Sequence, residues 1–113
     1  MKDDGFYLRH ILDSITQIKS YTAPLDYKGF RSNQLVQDAV IRQLEIIGEA
    51  SKNLSDALRN SSTNVPWEDI AGMRDKLIHH YFGVDLQAVW DTATLDLPAV
   101  EVEIKRIIKA VKG

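Results

Sequence analysis

Apolar residues recur at spacings of three and four along nearly the whole chain, and no segment alternates with the period of a strand bounded by hairpin turns. Leu8, Ile11, Leu12, Ile15 and Ile18 mark a first amphipathic helix from about Phe6 to Tyr21. Pro24 and the Gly29 region punctuate the next stretch. Ser32 is a candidate N-cap for a longer second helix. Its stripe of Leu35, Val36, Ala39, Val40, Leu44, Ile47, Ala50 and Leu54 is wide enough to meet more than one neighbour. Arg59 to Asn64 reads as a polar loop. Pro66 fits the first turn of a third helix, with Glu68 and Asp69 complementing its dipole and Ile70, Met73, Leu77 and Ile78 on the core side. Gly83 stops it. Asp85 caps a short helix carrying Leu86, Val89, Trp90 and Ala93. Asp96 before Pro98 reads as one more start, ahead of Val100, Ile104, Ile107, Ile108 and Val111. The pattern predicts an all-α bundle of four or five helices.

The chain of 113 residues fits a single domain spanning 1–113. A net charge of −2 argues against a broad basic surface that coats nucleic acid, but leaves room for a local basic pocket. With no cysteine there is no disulfide, thiolate zinc site or cysteine nucleophile, which suits a reducing cytoplasm. No apolar run approaches a membrane span, and Met1 to Gly5 is polar and acidic, unlike a signal peptide. A soluble, cytoplasmic protein is expected.

Chemistry concentrates in Arg74-Asp75-Lys76-Leu77-Ile78-His79-His80-Tyr81. Asp75 and His79 are four apart and share a helix face, where a carboxylate can fix the tautomer of an imidazole and raise its basicity. Arg74 and Tyr81, seven apart, also share a face. Arg74 and His79 are separated by roughly 140° around an ideal helix. Either the helix distorts near His79 or a second surface completes the pocket, and a two-fold dimer would supply one. The residue types suit phosphodiester chemistry on RNA. An arginine grips phosphate and stabilises transition-state charge, and a histidine takes or gives a proton. No metal or other cofactor is called for, since adjacent His79 and His80 lack the four-residue spacing of a helical zinc motif.

Plainer roles compete. Arg74 can simply pair with a carboxylate elsewhere, His80 can be a surface histidine, and Tyr81 and Phe82 can be core aromatics. His10 reads as solvated, as do Lys105, Arg106, Lys109 and Lys112, which complement a helix C-terminus. A helical DNA-binding regulator is disfavoured, because no recognition helix carries a run of base-reading side chains.

The run Val65-Pro66-Trp67, then Ile70 through Asp85, Val89-Trp90 and Asp96-Leu97-Pro98 resembles the HepT-like branch of the HEPN superfamily. Ala39 to Ser55 and Tyr7 to Leu12 extend the resemblance over nearly the whole chain. The branch motif, Arg-x4-His-x-Tyr, falls on Arg74, His79 and Tyr81. The resemblance implies a metal-independent endoribonuclease toxin with a HEPN-type bundle, homodimeric around the motif helix, in which Arg74 and His79 catalyse and Asp75 supports. It also implies a partner, a minimal nucleotidyltransferase (MNT-type) antitoxin that adenylylates Tyr81. The alternative it leaves open is a non-catalytic helical module that binds a nucleotide or a nucleotidyltransferase.

Overall fold

The structure is a computed structural model that describes residues 3–79 and 83–112, with backbone alone for Ile78, His79, Val111 and Lys112. Four long helices carry the fold: α1 (Asp4–Thr22), α3 (Gln34–Lys52), α5 (Trp67–His79) and α7 (Leu97–Lys112). Short helices α2 (Tyr27–Arg31), α4 (Asp56–Ser61) and α6 (Leu86–Asp91) make the corners, and among the described residues there is no strand. The all-α expectation is met. No helix among these residues is long and apolar enough to cross a membrane.

Helix α3 is the centre, packing along α1 and along α5, while α7 covers α1. Leu8, Ile11, Ile15 and Ile18 of α1, Val40, Leu44 and Ile47 of α3, and Ile104 and Ile107 of α7 are buried together. Burying each such side chain stabilises the fold by about 1.5–3 kcal/mol. The stripe on α3 is therefore largely used within the chain. Leu35 is the exception, 80% exposed at the first turn.

Four local expectations are revised. Asn33, not Ser32, caps α3, its side-chain oxygen accepting from the Val36 amide at 3.1 Å. Ser32 instead ends α2, with its hydroxyl donating to the Lys28 carbonyl at 3.0 Å. The Pro24–Gly29 stretch is not merely punctuation: Asp26 caps α2 by accepting from the Gly29 amide at 2.8 Å, and buried Gln37 donates to the Phe30 and Arg31 carbonyls at 2.9 Å each. Arg59 to Ser61, read as loop, belong to α4. Asp4 holds that corner, accepting from the Ser55 amide at 2.8 Å and its hydroxyl at 2.7 Å.

The fourth revision concerns Asp96. Helix α7 begins directly after it at Leu97, as expected, but without a break before it: Thr92–Asp96 forms a π-helical stretch that joins α6 to α7. Pro98 explains the need: proline lacks an N–H and crowds the preceding turn, and a π turn relaxes both demands. The Asp85 cap is as expected, accepting from the Ala88 amide at 3.1 Å.

Helices α3 and α5 make a close approach at Gly48. A Cβ built there would overlap Arg74 Cβ, and would lie 2.8 Å from Arg74 Cγ and 3.2 Å from the Ile70 carbonyl oxygen. At Gly72 on α5 a Cβ would meet nothing within 4 Å. Gly48→Ala is therefore expected to lose about 1–3 kcal/mol through overpacking. Gly72→Ala is expected to gain about 0.5–1 kcal/mol through helix propensity. Urea unfolding of the two variants checks the pair, and equal effects would contradict the crossing described.

Candidate functional site

The absence of a side chain at Gly48 lets α5 settle against α3, and this fixes where Arg74 emerges. Glu49 and Lys52, one and four residues further along α3, then flank the Arg74-Asp75 pair. Arg74 Nη2 lies 3.1 Å from Glu49 Oε2, and Nη1 donates to Asp75 Oδ1 at 3.1 Å. Lys52 Nζ donates to the same Asp75 oxygen at 3.0 Å. The four charges form an alternating chain, Glu49–Arg74–Asp75–Lys52.

The Arg74 side chain is only 27% exposed, so this chain orients a partly sheltered guanidinium. Surface ion pairs contribute little stability singly; their value here is geometric. Two of the guanidinium's five N–H donors face carboxylates, and among the described residues the others have no hydrogen-bond partner. The Lys52 hydrogen bond, and then the Arg74 hydrogen bond, hold the Asp75 carboxyl below its ordinary value, against a smaller opposing effect of desolvation.

The expected site is only partly within view. Arg74 does pair with carboxylates, as the plainer reading anticipated, yet it also borders an open groove. Asp75 is engaged by Lys52 and Arg74; its expected support of His79 involves a side chain outside the described residues. The expectations for His80, Tyr81 and Phe82 also lie outside them. The α5 backbone is α-helical through His79, so the motif helix shows no distortion up to that residue.

Sequence reasoning gave no role to Gly48, Glu49 or Lys52, although a glycine in the middle of an apolar helical stripe is itself a signal of close approach. Lys105 and Arg106 sit on a solvated face, Arg106 paired with Glu103 at 2.9 Å, as expected. Among the described residues, no cluster of three or more His, Asp or Glu side chains could hold a metal ion.

The groove beside Arg74 runs between α1 and α3 and has a volume of about 290 Å³. Phe6, Tyr7 and His10 line one wall, and Arg42, Glu45 and Glu49 are on the other. His10 is solvent-exposed as anticipated, but its ring packs on Phe6 with centroids 4.4 Å apart.

The family model for HepT-like ribonucleases matches residues 11–107. The chain belongs to the HepT-like ribonuclease family. A candidate RNase of Methanocaldococcus jannaschii is 40% identical over 112 residues, covering 99% of this chain and 93% of its own. A second from that organism is 43% identical over 108 residues, covering 96% of this chain and 93% of its own. A Thermococcus cleftensis protein named "probable ribonuclease HepT" is 41% identical over 103 residues, covering 91% of this chain and 94% of its own. No solved structure gives a significant match.

In this HepT-like chain the Asp75 carboxyl provides a direct check on the charge chain. Because its pKa is depressed in the folded state, its stabilising contribution is present above the ordinary carboxylate value of 3.8 and is lost as the pH falls through the lowered value. NMR titration of the Asp75 carboxyl is expected to give a midpoint below 3.8. In Lys52→Met the midpoint should move upward, since the largest cause is removed. An unchanged midpoint would show that the Lys52 contact does not form in solution.

Proposed function

We propose that the protein is a metal-independent endoribonuclease toxin that acts as a homodimer and is silenced by adenylylation of Tyr81. The observation that carries the reading is Arg74: an oriented, partly sheltered guanidinium at a tight helix crossing, open to a groove, in a chain of the HepT-like ribonuclease family. The RNase names of the relatives support RNA as substrate.

The reaction needs a base and a phosphate grip. The His79 imidazole takes the proton of a ribose 2′-hydroxyl, whose oxygen attacks the adjacent phosphorus. The P–O5′ bond breaks, the 5′-oxygen leaves with the proton that the His79 imidazolium gives back, and a 2′,3′-cyclic phosphate remains. Arg74 stabilises the extra negative charge on the phosphoryl oxygens. With α5 regular through His79, Arg74 and His79 leave its axis roughly 140° apart. That supports a cleft in which each protomer's arginine works with surfaces of the other.

The proposed control is a minimal nucleotidyltransferase antitoxin. The Tyr81 phenol oxygen would attack the α-phosphorus of ATP, lose its proton and release pyrophosphate. The AMP group adds bulk and a negative charge to a cleft that must admit an RNA backbone, and both oppose binding.

The parent protein is expected to cleave RNA in EDTA. Arg74→Ala and His79→Ala should each lower kcat by about 100-fold or more while leaving a folded dimer. Cleavage lost in EDTA and restored by magnesium overturns the mechanism, and parent-like cleavage by both variants overturns the site. With the antitoxin and ATP, intact-mass spectrometry should show whole AMP increments on the parent and none on Tyr81→Phe. An active antitoxin that adds none to the parent rules out the switch.

A further inference from the structure

Helix α5 packs along α3 and helix α7 along α1, and the seam between α5 and α7 stays open as a groove of about 790 Å³. We propose that this groove is the docking site for a cationic amphipathic helix of a second polypeptide. The groove shares no lining residue with the one beside Arg74, and the proposal does not rest on the ribonuclease reading.

The groove is apolar from floor to rim. Leu44 and Ile47 of α3 form a buried floor. Ile70 and Met73 of α5, both partly buried, make one wall. Leu95, Ala99 and Val102 line the other wall, and all three are exposed. Leu95 is 69% and Val102 65% exposed, which makes them two of the three large apolar side chains left open among the described residues. Single exposed apolar residues are ordinary, but two on the rim of one apolar groove mark an interaction surface. Leu95 and Val102 are seven residues apart, or roughly 10 Å at 1.5 Å per residue. Over that length a partner helix presents about two turns, with apolar anchors three and four residues apart.

Charge selects the occupant. Asp69 borders the groove on the α5 side, Asp96 and Glu103 border it on the other, and among the described residues no lysine or arginine lines it. Glu103 is paired with Arg106, whereas Asp69 and Asp96 are exposed and have no ion-pair partner among the described residues. Carboxylates on both rims favour lysines or arginines flanking the apolar anchors. They repel the phosphates of nucleic acids and of anionic lipids. They also disfavour a second copy of this chain, because a two-fold pairing lays groove on groove and brings the carboxylates of both copies together.

The test uses the full chain and a fluorescein-labelled peptide of leucine and lysine, about 18 residues long so that it can be helical, with its leucines on one face. Fluorescence anisotropy should show binding by the parent. Leu95→Ser and Val102→Ser, at exposed positions outside the core, should each weaken Kd by about 5-fold or more, the scale of one interface anchor. Asp69→Asn combined with Asp96→Asn should weaken it by about 3-fold at low salt and flatten its salt dependence. Leu35→Ser, at the remaining exposed large apolar position, lies outside the groove and should bind like the parent. A peptide of the same pattern with glutamate in place of lysine should bind at least about 10-fold more weakly.

A parent that fails to bind the lysine peptide, or that binds the glutamate peptide as tightly, overturns the proposal. Binding that Leu95→Ser and Val102→Ser leave unchanged overturns it as well, since the peptide then sits elsewhere. Light scattering covers the competing occupant. A parent dimer that Leu95→Ser or Val102→Ser turns into a monomer would make the groove a contact between copies of this chain and overturn the proposal; an unchanged mass alongside weakened peptide binding supports it.

Discussion

The contact between α3 and α5 at Gly48 is the constraint on which the rest of the site depends. A helix normally keeps its neighbour at side-chain distance. Here α5 approaches until the space that a methyl group would occupy is filled by the Arg74 stem. A long flexible side chain thereby acquires a fixed root, and the neighbouring positions of α3 come within reach of its head. Glu49 and Lys52 owe their contacts to that proximity. A wider crossing would leave the same residues as ordinary solvated charges.

Preorganisation of this kind matters because an arginine that must be ordered on binding loses rotamer freedom at that moment. Held between Glu49 and Asp75, Arg74 has largely given up that freedom on folding. Asp75 is itself steadied by Lys52, so the orientation of one guanidinium is shared among three partners. Asp75 thus has a role in arranging the arginine that is separate from any support it gives His79.

Much of the architecture was legible in the sequence because local patterns and tertiary packing agree. The apolar spacing of Leu8, Ile11, Ile15 and Ile18 reports a face that is fully buried. Asp85 reads as a cap and is one. The misses fall where one residue serves two elements or where local rules compete. Ser32 and Asn33 are both good caps, and the choice between them turns on α2, a five-residue helix too short to leave a period. The start after Asp96 was legible from the proline, but the π turn that links it to α6 without a break was not. In the site, the arginine and aspartate could be singled out by residue type. Their partners could not, since a glutamate or lysine on the outer side of α3 looks like any solvated charge until the distance to α5 is known.

The alternating chain also bears on how the protein can meet a polyanion while carrying a net charge of −2. A bare surface arginine gathers anions from the buffer, and its binding to RNA phosphate displaces cations condensed on the nucleic acid. Arg74 already carries its counter-charge within the protein, in Glu49. A phosphate arriving at the guanidinium therefore exchanges one fixed anion for another, and the freed carboxylate stays beside it. The long-range pull on RNA at this point is weak, and recognition is left to contacts at close range. On the function proposed above, a nuclease built this way would discriminate by fit more than by charge.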